Sequence, residues 1–330
     1  MQVAKAAGVS PTTVSHVLNN RGRVSESTRV HVLKVVEQLS YRGNRHAQQL
    51  VTRRSRILAI QLPVTGSVRS QGTFPHSGYY LELINGASTA ADELDYALII
   101  VPPGSQGANN SLADFSVDGA VLVDPEGNEA AFDVPIPLAT IGVPMQLTRP
   151  VASVDNDHEA TARKLLDHLE SVGRTRPLLV ADRTHRSYVR DLVSGFRQQT
   201  TDRGTPAEVC RLGSLNPTAL DRVLHTALEL GSDALLASSD DIALGLLNQA
   251  RRRGIHIPDQ LMLASAVDAP SLMLTSPQIT ATNLYPRRTG AAAVRLLVDR
   301  IDHADDLDST VTRSLVPTKL IQRDSTRPTS

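Results

Sequence analysis

Thr12, Ser15 and His16, with Pro11 beside them, crowd the start of one short helical stretch. Their chemistry is hydrogen bonding at close range. Short polar side chains near a helix N-terminus suit the reading of base edges in a DNA major groove. The surrounding residues are those needed to position them. Ala4 is small where a second helix must cross the first. Gly8 can take the positive φ of a tight turn. Ser10 can cap the second helix, and Pro11 fits its first position, where no N–H is needed. Val14, Val17 and Leu18 recur at i, i+3 and i+4, so that helix buries one stripe and presents the other. The pattern over residues 4–18 predicts a helix-turn-helix; an ordinary helical hairpin with a glycine turn is the alternative.

The formal charge of zero over 330 residues hides a segregation. Residues 1–56 carry ten Lys/Arg and two acids, a formal +8, and the remainder carries −8. A basic head on an acidic body fits a nucleic-acid module joined to a part that should avoid phosphate. Cys210 is the sole cysteine, so neither an intrachain disulfide framework nor a cysteine zinc site is available. No apolar run is long enough to span a membrane, and no signal-peptide core opens the chain; a cytoplasmic location is expected. There is no G-x-S-x-G, Walker A or G-x-G-x-x-G pattern. His158, His168 and His185 have no evident nucleophile nearby and read as solvated. Catalysis, a cofactor and a metal are therefore not expected.

A third helix is expected after Ser25 as its cap, with Val32, Leu33, Val36 and Leu39 facing the headpiece core. Arg21-Gly22-Arg23 forms a basic loop before it, and a short basic joint spans Tyr41 to Arg56. From Ile57 onward, apolar runs at 57–62, 96–101, 119–123, 137–141, 177–181, 233–237, 261–266 and 279–284 alternate with helical patterns near 78–95, 157–171, 187–201, 217–230, 240–253 and 286–302. Strands apolar on both faces between helices imply α/β lobes with parallel sheets. Pro102–Asn110 reads as a loop, and the tail after Asp324 as frayed.

The motifs AGVSPTTVSHVLN, RVSESTR and LSYRGNRHAQQL, followed by weaker ones such as VDGAVLV, SVDNDHEA and SSDDIALG, resemble the LacI family of transcriptional regulators over essentially the whole chain. The resemblance implies a three-helix headpiece at 1–43 and a hinge helix and linker at 44–56. It implies a core at 57–330 like a periplasmic sugar-binding protein. The first lobe would take 57–155 and 285–313, the second 156–284 and 314–330, with three chain crossings between them. It further implies a homodimer on a pseudo-palindromic operator, most often as a repressor, modulated by a sugar or related small molecule between the lobes. By position, Pro11, Thr12 and His16 match base-reading residues, and Thr13, Ser15, Asn19 and Arg23 match residues on the DNA backbone. Asn44, Ala47 and Leu50 match the hinge pattern, whose leucine wedges into the minor groove.

Effector positions carry over to Tyr79, Tyr80, Asp155, Arg190, Ser239, Asp240 and Asp268. Asn156 falls at the crossing into the second lobe. There are departures. The chain starts a few residues short of the family's usual start, so helix one is expected to lack its usual cap. Gly43 stands where a proline usually precedes the hinge asparagine. Leu192 stands where many members place an arginine that grips ligand oxygens; Arg190 or Arg186 could substitute, although on a helix they point elsewhere, so the ligand is expected to be less anionic, differently held or absent. Gly66–Ser77 is longer than the family norm and could form a new wall. The rival readings are a ligand-independent regulator of the same family, a solute-binding protein, and an enzyme on an α/β scaffold.

Overall fold

The computed structural model describes residues 2–18, 22–39, 54–63, 77–101, 112–127, 129–146, 149–206, 208–303 and 312–327. Asn19, Arg21, Gly43, Asn44, Ala47, Leu50, residues 66–76 and the expected loop at 102–110 lie outside them, as does the Leu18 side chain. Two compact units divide the chain, Met1–Ser55 and Arg56–Ser330.

The first unit holds α1 (Gln2–Ala7), α2 (Pro11–Leu18) and α3 (Glu26–Gln38). Gly8 turns at φ +65°, and the Thr13 N–H donates to Ser10 Oγ at 3.0 Å, as the capping reading requires. Ser25 likewise accepts from the Thr28 N–H at 3.3 Å. Val3, Ala4, Ala7, Val14, Val17, Val32 and Val35 form one apolar core. The third-helix expectation is corrected here. Leu33 and Leu39 are each 46% exposed, and Val35 is buried instead. Val32, Val35 and Val36 make a continuous i, i+3, i+4 stripe. Leu33 lies one residue beyond its edge, and Leu39 is already the C-cap.

The second unit is built on two six-stranded sheets. The first contains β1 (Ile57–Gln61), β2 (Ala97–Val101), β3 (Gly119–Val123), β4 (Leu138–Ile141), β5 (Ala152–Asn156) and β11 (Arg313–Val316), in the order β11-β5-β4-β3-β1-β2. Every pairing in it is parallel. The second contains β6 (Pro177–Asp182), β7 (Val209–Leu212), β8 (Ala234–Ala237), β9 (Met262–Ser265), β10 (Thr280–Asn283) and β12 (Lys319–Ile321), in the order β12-β10-β9-β8-β6-β7. Its β10–β12 edge is antiparallel, where only parallel pairing was expected. The chain enters β12 directly from β11 of the first sheet through Pro317 and Thr318, not by a crossover from β10, so the βαβ rule that makes neighbours parallel does not act on this edge.

Helices α4 (Gly78–Glu93) and α10 (Pro286–Asp302) pack together on the first sheet. Gly86 and Gly290 make that crossing possible. A Cβ on Gly86 would lie 2.0 Å from the Arg287 carbonyl oxygen, and one on Gly290 would lie 2.1 Å from that of Leu83. The second sheet carries α5 (His158–Ser171), α6 (Ser187–Asp202), α7 (Pro217–Glu229), α8 (Asp240–Arg252) and the short α9 (Pro270–Met273). Apolar layers on either side of this sheet are separate: Leu178, Leu235 and Leu263 pack with α7 and α8, whereas Leu179, Leu236 and Met262 pack with α5 and α6. That alternation follows from the two-residue period of a strand.

The chain passes between the lobes after β5, after β10 and between β11 and β12. Asn156 joins all three passages. Its Nδ2 donates to the carbonyls of Leu284 at 3.1 Å and Val316 at 2.9 Å.

Candidate functional site

In the headpiece, burial of Val14 and Val17 turns Pro11, Thr12, Ser15 and His16 outward, and all four are exposed. Thr13 is half-buried, with its hydroxyl 2.9 Å from Ser10 Oγ, so it shares the capping network. Arg23 is exposed in the loop before α3. The His16 ring lies against Gly22, whose φ is +73°; a Cβ there would stand 2.7 Å from Nδ1. Gly22 thus serves twice, as a left-handed turn residue and as a bare surface beneath the histidine.

In the core, the C-terminal ends of the strands supply the facing groups, as expected for crevices of parallel sheets. The Tyr79 and Tyr80 rings meet edge to face at 5.3 Å. The Tyr80 hydroxyl donates to Asp124 Oδ2 at 3.2 Å. Asp155 is buried between the Arg313 guanidinium at 3.1 Å and His158 Nε2 at 3.4 Å. From the second lobe, Tyr188 and Ser238 both donate to Asp182 at 3.4 Å. Ser239 caps α8, accepting from the Ile242 N–H at 3.4 Å. Asp240 is buried and accepts from Ser77 Oγ of the other lobe at 2.9 and 3.0 Å. Two further links join the lobes: the Val143 N–H to Ser187 Oγ at 3.2 Å, and Thr184 Oγ1 to Glu126 at 3.5 Å.

Burial dominates the electrostatics. It pushes the Asp124 carboxyl up to about 6, with Asp155 adding to the rise while Arg186 and His158 oppose it. Asp240 is pushed up to about 6 by burial and by neighbouring Asp241, against the Ser77 hydrogen bond. Asp182 is raised by burial, against its bonds from Ser238 and Tyr188. Burial also raises the Tyr79, Tyr80 and Tyr188 hydroxyls, which remain donors at neutral pH.

Several expected positions lie elsewhere. Arg190 is 41% exposed and paired with Asp191 at 2.7 Å on the outer side of α6. Of the two candidates it is Arg186 whose charge is felt by Asp124, Asp182, Tyr80 and Tyr188, beside Arg313 on Asp155. Arg186 is the N-cap residue of α6, so it does not point where the expected helical position would. Asp268 is taken up on both oxygens by Arg323, at 2.8 and 2.9 Å. Leu192 is buried at 2% exposure in the α5–α6 core. Two histidines expected to be solvated are not. His158 is 8% exposed and sits beside Asp155, and His168 is 6% exposed with Nε2 2.7 Å from Thr326 Oγ1. Asp124, Asp182 and Tyr188 were missed; their only signal was position, directly after or near a strand end. Among the described residues no group of His, Cys, Asp or Glu could hold a metal ion, and no helix is long and apolar enough to cross a membrane.

Two family models match the chain. The model of bacterial regulatory proteins of the lacI family covers residues 1–44, and that of a periplasmic binding protein-like domain covers residues 166–326. The chain thus carries a LacI-family DNA-binding domain and a periplasmic binding protein-like domain. It is a DNA-binding transcriptional regulator. Catabolite control protein A of Staphylococcus xylosus is 25% identical over 92% of each chain. The HTH-type transcriptional repressor PurR of Haemophilus influenzae (strain PittEE) is 26% identical over 98% of this chain and 97% of its own. The fold is shared with the transcriptional regulator CelR in complex with cellobiose, at a TM-score of 0.71 and 24% identity over 98% of both chains. It is shared too with the lac repressor dimer bound to operator and the anti-inducer ONPF, at 0.75 and 21% identity over 98% of this chain and 97% of that one.

Proposed function

We propose that this regulator is a sequence-specific repressor that binds a pseudo-palindromic operator as a homodimer in the cytoplasm, and that a small molecule between the lobes sets its affinity. The observation that carries the reading is the division of α2 into a buried Val14/Val17 stripe and an outward face of Pro11, Thr12, Ser15 and His16. Pro11, Thr12 and His16 read bases. Thr13, Ser15, Asn19 and Arg23 hold the DNA backbone and give affinity that falls with salt. The working units are the headpiece 1–43, the hinge 44–56 and the core 57–330. In the hinge, Asn44, Ala47 and Leu50 enter the minor groove, with Leu50 as an unstacking wedge.

The effector is a neutral, hydroxyl-rich molecule such as a sugar, held by Tyr79, Tyr80 and Asp155 together with Asp124, Asp182, Arg186 and Asp240, with Ser239 at the rim. Buried carboxylates accept from hydroxyls, and tyrosine rings offer apolar faces. The cellobiose complex of CelR supports a sugar by analogy of fold.

Selection of bound DNA from a random pool tests the reading. A two-fold symmetric motif is expected, and absence of any enriched motif overturns it. Leu50→Ala should weaken binding to the selected site far more than to random DNA; equal losses exclude the wedge. Calorimetric titration with sugars and nucleosides tests the cleft, and uniform silence favours the ligand-independent alternative.

A further inference from the structure

A second concavity lies along the outer side of α6, at the edge of the lobe boundary, where Met145 of the first lobe and Thr184 reach it. It is open to solvent, holds about 560 Å³ and is lined by Arg190, Arg197, Arg211, His185 and Ser194 as well. Its construction follows from the fold. The buried face of α6 carries Val189, Leu192, Val193 and Phe196, which leaves Arg190, Ser194 and Arg197 on one outward stripe. The neighbouring edge strand β7 contributes Arg211, whose Nη1 donates to the Asp182 carbonyl at 3.0 Å and is thereby oriented.

Two guanidiniums converge there, Arg197 and Arg211, with Asp182 as a more distant counter-charge to Arg211. Arg197 lies close enough to depress the proton affinity of Arg211, after burial and against Asp182. Arg190 has Asp191 at 2.7 Å, but among the described residues no carboxylate lies within ion-pair distance of Arg197 or Arg211. Like charges held together on a half-walled surface are unfavourable unless an anion bridges them. Guanidinium forks match the oxygens of a phosphoryl group, and a hollow of this size suits a small molecule rather than a flat protein surface. The cleft is less suited to the same ligand, since Asp124, Asp155, Asp182 and Asp240 there outnumber Arg186 and Arg313.

We propose that this pocket is a second effector site that takes a small phosphate ester or pyrophosphate, bridged by Arg197 and Arg211 and flanked by Arg190. Calorimetric titration of the full chain at constant ionic strength tests it, with inorganic pyrophosphate, glycerol 3-phosphate, glycerol and a phosphoserine peptide as probes. Pyrophosphate and glycerol 3-phosphate should bind saturably and glycerol should not. Arg197→Ala and Arg211→Ala should each weaken binding at least tenfold, whereas Arg252→Ala, on α8, should leave it unchanged. Circular dichroism verifies that each variant is folded. Absence of saturable binding overturns the proposal. So does an equal loss in all three variants, which would mark diffuse attraction. Binding of the phosphoserine peptide without the small phosphates would overturn the small-molecule assignment in favour of a phosphorylated protein.

Discussion

At the scale of single residues, the two raised carboxyls have the clearest consequence. Asp124 and Asp240 titrate at about 6 in the folded chain, against roughly 3.9 for an unfolded aspartate. Between these values the native state binds more protons than the unfolded one, so stability falls as pH rises through this window. Below the lower value the contribution is fully present, and above the higher it is lost. Asp124→Asn and Asp240→Asn should therefore gain stability relative to the parent as pH rises from 4 to 7, each by on the order of 2 kcal/mol. Denaturant melts at several pH values check this, and a pH-independent difference would contradict it. In the headpiece, His16→Ala should relax preference at one operator position with a loss of about 1–3 kcal/mol there. An unchanged selected motif would remove His16 from base reading.

At the scale of elements, the α4–α10 crossing has no room for a side chain at Gly86 or Gly290. Gly86→Ala or Gly290→Ala should cost about 1–3 kcal/mol or more, because the clash is with backbone that cannot rotate aside. Thermal unfolding of the core measures it. The helices here were legible because an amphipathic stripe over many residues repeats its signal. Strands β5, β7, β11 and β12 were not. The β5 run ASVDN ends in polar residues, although it is buried throughout. The other three lie at sheet edges, are three or four residues long and are partly exposed, so neither alternation nor an apolar run marks them. The cleft was half legible for a related reason. Tyr79, Tyr80, Asp155 and Asp240 carry over by position, whereas Asp124 and Asp182 depend on which strand ends the sheets bring face to face. Arg190 and Arg186 stay equally open in the sequence because one turn of helix separates a residue at the strand mouth from one on the outer surface.

At the scale of the whole molecule, Asn156→Ala would remove two hydrogen bonds and leave the Leu284 and Val316 carbonyls without that donor in a buried site. A loss of about 1–3 kcal/mol is expected. Hydrogen exchange should quicken around residues 284–286 and 316–319 well before it does in the sheets; unaltered exchange there would show that the three passages are held independently. The tie has a mechanical meaning as well. Three separate connections would let the lobes slide, shear and rotate. A common anchor suppresses sliding and shear and leaves rotation about a point near Asn156. Each lobe then acts as a rigid lever on that fulcrum, so a small change of angle set by contacts in the cleft becomes a larger displacement at surfaces farther from the pivot. The sensitivity of the proposed switch would then be a matter of arm length as much as of contact strength.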